Sequence, residues 1–266
     1  MKQKQYLLLF VLCLIGATSL SAQTTDSYTE VDVEKYYDEE SCLYYKLTTY
    51  WKEWEDIGAY YAAGKYAEVV DYYTDFYNTV GHEVVIPEKV TYKGTDYLVN
   101  KIGDKAFIRA YYLSYVSIPN TVEEIGQSAF YGLSLAVVDM GNAVKTIGTL
   151  AFGGCINLRA ITLPASLTSI NGSAFVGSGL KYILVESKNK DLFNCIYFRG
   201  DIFYDLLFLD ECVVWTYTDD MARAFRSVGF KHVICEYDTT LDEDVNHDGQ
   251  VNSLDVLKVY KYMQTH

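Results

Sequence analysis

The chain is 266 residues long, carries 26 tyrosines and has a formal net charge of −13. A surface this acidic repels phosphate backbones and anionic bilayers, which argues against nucleic acid and acidic membranes as partners. The length allows one large core or two to three modules.

Residues 1–22 have the layout of a secretory signal: Lys2 and Lys4, an apolar core over residues 6–16, then Ser19-Leu20-Ser21-Ala22 ahead of Gln23. Cleavage there removes two lysines and moves the net charge to about −15. The apolar core is too short for a bilayer, and no other stretch approaches the roughly 18 to 20 apolar residues a span needs, so no transmembrane segment is expected. A lipid anchor on Cys13 is disfavoured by Val11-Leu12, where small residues are wanted. Of the five cysteines left after processing, Cys155 sits in a repeat and Cys195, Cys212 and Cys235 in strand-like surroundings, so buried thiols are expected rather than a disulfide framework, and no spacing among them fits a metal.

Residues 23–98 read as a tyrosine-rich β cap. Strands are expected over residues 43–49 and 66–73, while residues 51–64 suit either a short helix or a loop insertion. Tyrosines fall in adjacent pairs, Tyr36-Tyr37, Tyr44-Tyr45, Tyr60-Tyr61 and Tyr72-Tyr73. Neighbours in a strand point to opposite faces, so one ring of each pair is expected to be exposed and available to a protein or sugar, packing within the cap's own core being the other reading of any one tyrosine. Two alternating runs around Lys93-Gly94-Thr95-Asp96 read as a β-hairpin.

Residues 99–185 repeat. Ile102-Gly103-x-x-Ala106-Phe107 returns as Ile125-Gly126-x-x-Ala129-Phe130, Ile147-Gly148-x-x-Ala151-Phe152 and Ile170-Asn171-x-x-Ala174-Phe175, at intervals of 22 or 23 residues. Such a period marks a solenoid whose units bury their apolar faces only against one another. Val122, Val144 and Leu167 form a second column; Leu113, Leu135, Leu158 and Leu180 form a third. The single exception in the glycine column is Asn171, which points to a left-handed backbone there. Alanine suits a close approach of successive coils, and the prolines of Ile86-Pro87, Ile118-Pro119 and Leu163-Pro164 end strand pairing. The column residues are scaffold, so binding is expected on the residues between them.

Residues 186–236 read as a C-terminal cap, with strands over residues 194–198, 201–209, 212–217 and 231–235 and a helix over 221–228 capped by Asp219. The overlaid pattern Ile-Pro-x-x-Val-x-x-Ile-Gly-x-x-Ala-Phe-x-x-Cys-x-x-Leu, together with the hairpin lead-in, resembles the BspA-like, Treponema-type leucine-rich repeats of bacterial surface and secreted proteins. The resemblance covers roughly residues 43–236. It implies a mainly β fold with short helical turns: a curved leucine-rich repeat solenoid with N- and C-terminal caps, acting in adhesion or protein recognition at the cell surface or outside the cell. The departures are Met140-Gly141 in place of Ile-Pro, Asn171 in place of Gly, and Cys155 as the only cysteine retained.

Residues 237–266 hold one metal-ligand constellation. Asp244, Asn246, Asp248, Asn252 and Asp255 occupy loop positions 1, 3, 5, 9 and 12, and Gln250 at position 7 offers a backbone carbonyl. Hard oxygens at this spacing, with Gly249 at the sharp turn, suit Ca2+. Residues 253–264 place Val256, Val259, Tyr260 and Met263 on one helical face. Asp255 at the last position, with Val251 and Asn252, makes this calcium loop-helix unit resemble a dockerin repeat. That resemblance implies contact with a cohesin-like protein through Ser253, Leu254, Tyr260 and Lys261, and with it an alternative role as an accessory of a polysaccharide-degrading complex.

No nucleophile elbow, phosphate-cradling glycine loop or paired-cysteine metal site occurs, and His82, His232, His247 and His266 are scattered. The expected function is therefore recognition of a protein or glycan ligand by the solenoid, and not catalysis.

Overall fold

In a computed structural model, residues 27–54, 59–72, 83–189, 192, 206, 209–227 and 229–235 are described. Among them, fifteen strands and one helix follow one another in chain order. The chain opens with an antiparallel meander of β1 (Ser27–Asp38), β2 (Leu43–Trp54) and β3 (Ala59–Tyr72). Period-2 alternation drives it: Leu43, Tyr45 and Leu47 are fully buried, while Tyr44, Lys46 and Thr48 between them are only partly covered. The β1–β2 turn is closed by Asp38, whose carboxylate accepts the Ser41 N–H at 2.9 Å and the Ser41 hydroxyl at 2.6 Å. Within the stretch open between helix and loop, Trp51 pairs with Ala62 and Trp54 with Ala59, so both readings give way to one long hairpin. Two-sided Tyr, Trp and Ala content hides the alternation that marks a strand. β1 was not expected at all, because Glu30, Asp32, Glu34 and Lys35 make it read as a charged tail.

β3 then converts the sheet from antiparallel to parallel. It pairs in parallel with β6 (Thr95–Ile102), and β6 also takes β5 (Lys89–Tyr92) as an antiparallel neighbour. The two-residue turn at Lys93 (φ 49°) and Gly94 (φ 76°) is the type that matches strand twist. From β6 the ladder continues through β8 (Glu124–Ile125), β10 (Thr146–Ile147) and β12 (Ser169–Ile170). The opposite face is built of β4 (Glu83–Val85), β7 (Tyr115–Ser117) and β9 (Val137–Asp139), then of β11 (Ala160–Leu163), β13 (Tyr182–Val185), β14 (Val213–Thr216) and β15 (His232–Cys235). All pairs on this face are parallel. β14 and β15 thus add two rungs to the ladder beyond the last phenylalanine coil.

Between the faces runs the phenylalanine spine. Ring centroids of Phe107, Phe130, Phe152 and Phe175 follow one another at 4.8, 5.3 and 5.6 Å with interplanar angles of 15°, 9° and 4°, and every ring is fully buried. Tyr72 of the meander lies 5.8 Å from Phe107, so the cap continues the same column with a polar-tipped ring. Alanine does what its size suggests. Phe107 N–H donates to the Ala129 carbonyl at 2.9 Å, Phe130 to Ala151 at 2.9 Å and Phe152 to Ala174 at 2.8 Å.

The glycine column has a different cause from the expected one. Positive φ falls two residues later, at Lys105 (58°), Ser128 (53°), Leu150 (58°) and Ser173 (59°). The glycines are needed because a Cβ would strike the preceding coil: at 2.8 Å from the Val69 carbonyl oxygen for Gly103, 2.6 Å from the Asp104 nitrogen for Gly126 and 2.6 Å from the Gly126 carbonyl carbon for Gly148. At Asn171 the ring spacing has widened to 5.6 Å, the direction that a Cβ requires. Helix α1 (Asp219–Ser227) also starts differently. Its cap is Thr218, whose hydroxyl accepts the Met221 N–H at 3.3 Å, and Asp219 instead begins the first turn, where its charge suits the helix dipole.

Phe130 loses stacking on two sides if truncated. Phe130→Ala should lower the free energy of urea unfolding by about 3–5 kcal/mol, read from a midpoint shift at unchanged slope.

Candidate recognition surface

The ten residues assigned from the sequence, Asp244, Asn246, Asp248, Gln250, Asn252 and Asp255 for the metal and Ser253, Leu254, Tyr260 and Lys261 for a partner, lie outside the described residues. So do the signal segment, the strand expected over 194–198 and all of the strand expected over 201–209 except residues 206 and 209, neither of which is in a strand. Among the described residues no group of three or more His, Cys, Asp or Glu is placed to hold a metal. The surfaces on offer are the two sheet faces and the flank of stacked turns between them.

Ion pairs neutralise the face led by β6. Lys101 reaches Glu68 at 3.7 Å and Glu124 at 3.2 Å, and Lys145 reaches Glu123 at 2.8 Å. Partial burial pulls the Lys101 ammonium down, but its carboxylate neighbours outweigh that and hold its pKa above the ordinary lysine value. The Lys101 and Lys145 ammonium groups are therefore both answered by glutamates. On the opposite face Tyr182 and Trp215 stack at 6.4 Å, both partly covered.

The flank is different in kind. After each phenylalanine the chain makes a tight turn before the Leu113, Leu135, Leu158 or Leu180 column is reached. The side chains on these turns point outward: Tyr111 is 62% exposed, Tyr112 77%, Tyr131 45% and Ile156 55%. Ile108 joins them at the first turn. Gly153 makes room for one ring, since a Cβ there would lie 3.1 Å from Tyr131 Cδ2. Exposed rings on a rigid ladder lose little conformational entropy on binding, and contiguous apolar exposure is characteristic of contact surfaces.

This corrects the assignment of the exposed tyrosines. Tyr45 is fully buried, and Tyr36, Tyr37, Tyr44 and Tyr72 are partly covered. Tyr37 sits directly across from Tyr44 in the β1–β2 register and packs its ring at 4.9 Å, with the Lys35 ammonium 4.2 Å from the Tyr44 ring centre. Tyr36 packs edge-on against Tyr92 at 5.1 Å. Neighbouring strands thus cover the face that simple alternation leaves open. Tyr60, Tyr61 and Tyr73 lie where side chains are not described. Tyr111, Tyr112 and Tyr131 were missed, although their place between columns was the available signal.

Residues 72–201 match the BspA type leucine rich repeat region in six copies. Solved structures of leucine-rich repeat proteins are similar to parts of the chain. One from Bacteroides ovatus is 39% identical, covers 45% of this chain and 30% of its own, and has a TM-score of 0.41. One from Bacteroides capillosus is 28% identical over 52% of this chain and 94% of that one, with a TM-score of 0.42. A leucine rich cell surface protein from Faecalibacterium prausnitzii is 25% identical over 59% and 46%, with a TM-score of 0.37. The chain thus spans less than a third of the Bacteroides ovatus protein's length. No curated protein matches. Among the described residues no helix is long and apolar enough to cross a membrane.

Thiol chemistry divides sharply here. Burial pushes the Cys155 and Cys212 thiols from 9.0 up to about 12, whereas Cys42 is exposed at the β1–β2 turn. Alkylation of the folded protein at pH 8, mapped by peptide mass, should modify Cys42 and spare Cys155 and Cys212 until denaturant is added. The fold holds both buried thiols neutral, so their contribution to stability is complete below pH 9 and is lost as pH climbs toward 12. Unfolding free energy should fall across that window.

Proposed function

We propose that this chain is a secreted or cell-surface recognition protein that uses its leucine-rich repeat solenoid to bind a macromolecular partner, protein or glycan. The observation that carries this reading is the row of exposed side chains at Tyr111, Tyr112, Tyr131 and Ile156 on a scaffold whose columns are otherwise buried. The BspA type repeat match supports it, as does the signal-like layout of residues 1–22. The same construction argues against catalysis: the repeats supply packing and shape, and the one thiol in their pattern, Cys155, is fully buried and held neutral.

Residues 244–255 add a calcium-dependent element in this reading. The donor set of Asp244, Asn246, Asp248, the Gln250 carbonyl, Asn252 and Asp255 is all oxygen, as Ca2+ requires. When bound, the ion supplies the charge that lets three carboxylates gather in one short loop. The helix after it then presents Ser253, Leu254, Tyr260 and Lys261 as a second contact surface, for which a cohesin-like protein is the implied partner.

Two measurements test the proposal. Binding of the full chain to a panel of immobilised extracellular proteins and glycans should be lost in the Tyr111→Ser, Tyr112→Ser, Tyr131→Ser triple variant with its thermal midpoint preserved. Equal binding by the variant would move recognition off this flank. Calorimetric titration of the full chain with calcium chloride should give one equivalent that Asp244→Ala and Asp248→Ala abolish. No heat above dilution, or no effect of these variants, would remove calcium from the account.

A further inference from the structure

The flank that bears the exposed rings holds no carboxylate. Residues 107–113, 130–135, 152–158 and 175–180, the turns from each phenylalanine to the next leucine column, contain neither Asp nor Glu in a chain of net charge −13. Two cations stand at its N-terminal end, Lys105 and Arg109, both exposed. Neither forms an ion pair among the described residues, whereas Lys101 and Lys145 on the adjoining sheet face are matched to glutamates. Asp104, the nearest carboxylate in sequence, is engaged by the next coil, its Oδ1 accepting the Gln127 N–H at 2.7 Å. An acidic protein thus places no carboxylate on these turns, leaves the Asp104 charge at their edge, and sets two cations without an ion pair among the described residues in the same coil as Tyr111 and Tyr112.

No strand lies on this flank, and part of its main chain is committed between coils. Phe107 N–H donates to Ala129 at 2.9 Å, Gly132 to the Gly153 carbonyl at 2.8 Å and Gly154 to the Val176 carbonyl at 2.8 Å. A peptide therefore finds no strand edge to extend, and recognition there falls to rings and cations. We propose that this flank binds an anionic polysaccharide. Sugar rings pack on Tyr111, Tyr112 and Tyr131, and the acidic substituents meet Lys105 and Arg109, the latter through the forked geometry that suits a carboxylate or sulfate. This assignment rests on the recognition reading above and names the chemistry of its partner.

The test uses the full chain against three immobilised polysaccharides: polygalacturonate for carboxylates, dextran sulfate for sulfates, and unmodified dextran as the neutral control. Binding to at least one anionic polymer and not to dextran is expected, weakening with added salt. Arg109→Gln with Lys105→Gln, and separately Tyr111→Ser with Tyr112→Ser, should each weaken it about tenfold or more, as loss of charged hydrogen bonds or of ring contacts implies. Lys93→Gln, at the exposed β5–β6 turn, should not change it. Thermal midpoints of all variants serve as the folding control. No binding to either anionic polymer overturns the inference, as does binding that the tyrosine pair does not affect. Poly-glutamate binding as tightly as the polysaccharides would mean that charge alone is read, and the saccharide assignment falls. A protein on the immobilised panel captured through the same tyrosines, with no polysaccharide bound, would leave the recognition reading standing and end this one.

Discussion

Every other feature of this molecule depends on coils lying atop one another closely enough for main chain to bond to main chain. The Phe-to-Ala hydrogen bonds at 2.8–2.9 Å fix that distance, and the ring stack at 4.8–5.6 Å fills the space it encloses. Neither works without the other. Rings alone slide, and a buried amide without its carbonyl costs more than the bond itself returns. Gly103, Gly126 and Gly148 are the steric condition for both, since a methyl group at any of them would push two backbones apart. The four left-handed residues at 105, 128, 150 and 173 are a consequence of the same closeness. Each costs on the order of 1 kcal/mol or more, and each is repeated because the turn it makes must superimpose on its neighbour.

Hydroxyls reinforce the stack where the columns cannot. Thr121 donates to the Val99 carbonyl at 2.6 Å, Ser166 to Val144 at 2.7 Å and Ser187 to Leu167 at 3.0 Å, each pinning the second apolar column of the preceding coil. Ala143 stands at the equivalent place in the coil between and has no hydroxyl to give. Such bonds resist axial slippage without adding apolar bulk. The scaffold is in this way over-determined, and outward side chains such as Tyr111 and Ile156 are released from structural duty.

That division explains what could be read from the chain and what could not. Phe107, Phe130, Phe152 and Phe175 were legible as one column because identical environments select identical residues at a fixed period. The cause of the glycine column was not, because φ and close approach both favour glycine and sequence does not separate them. The meander failed for the opposite reason. Residues 51–64 have no repeat to align with, and their Tyr and Ala content satisfies helix and strand alike. Tyrosine exposure was misjudged because alternation predicts a direction and says nothing of what covers that direction: Tyr37 and Tyr44 cover one another across β1 and β2. Tyr111 and Tyr112, set between Phe107 and Leu113, were visible as residues without a column, which is the sequence mark of a surface residue in a solenoid.

The flank, more than either sheet face, has the freedom to acquire specificity. A change on the face led by β6 disturbs a matched charge, since Lys101 answers to glutamates on two neighbouring strands. A change on the face bearing Tyr182 and Trp215 disturbs a ring stack between β13 and β14. On the turns, by contrast, Phe107, Gly132 and Gly154 bond to the next coil through backbone and the packing is made by Phe and Leu, so an outward side chain such as Tyr111 or Ile156 is replaceable at little cost to stability. The row formed by Ile108, Tyr131 and Gly153 shows the result: three successive coils present a branched aliphatic chain, an aromatic ring and bare backbone at one structural position. Tyr131 fits onto Gly153 because no Cβ stands in its way. Register is set by the columns and identity by what lies between them, so the same stack can hold rings at chosen spacings without changing how it folds.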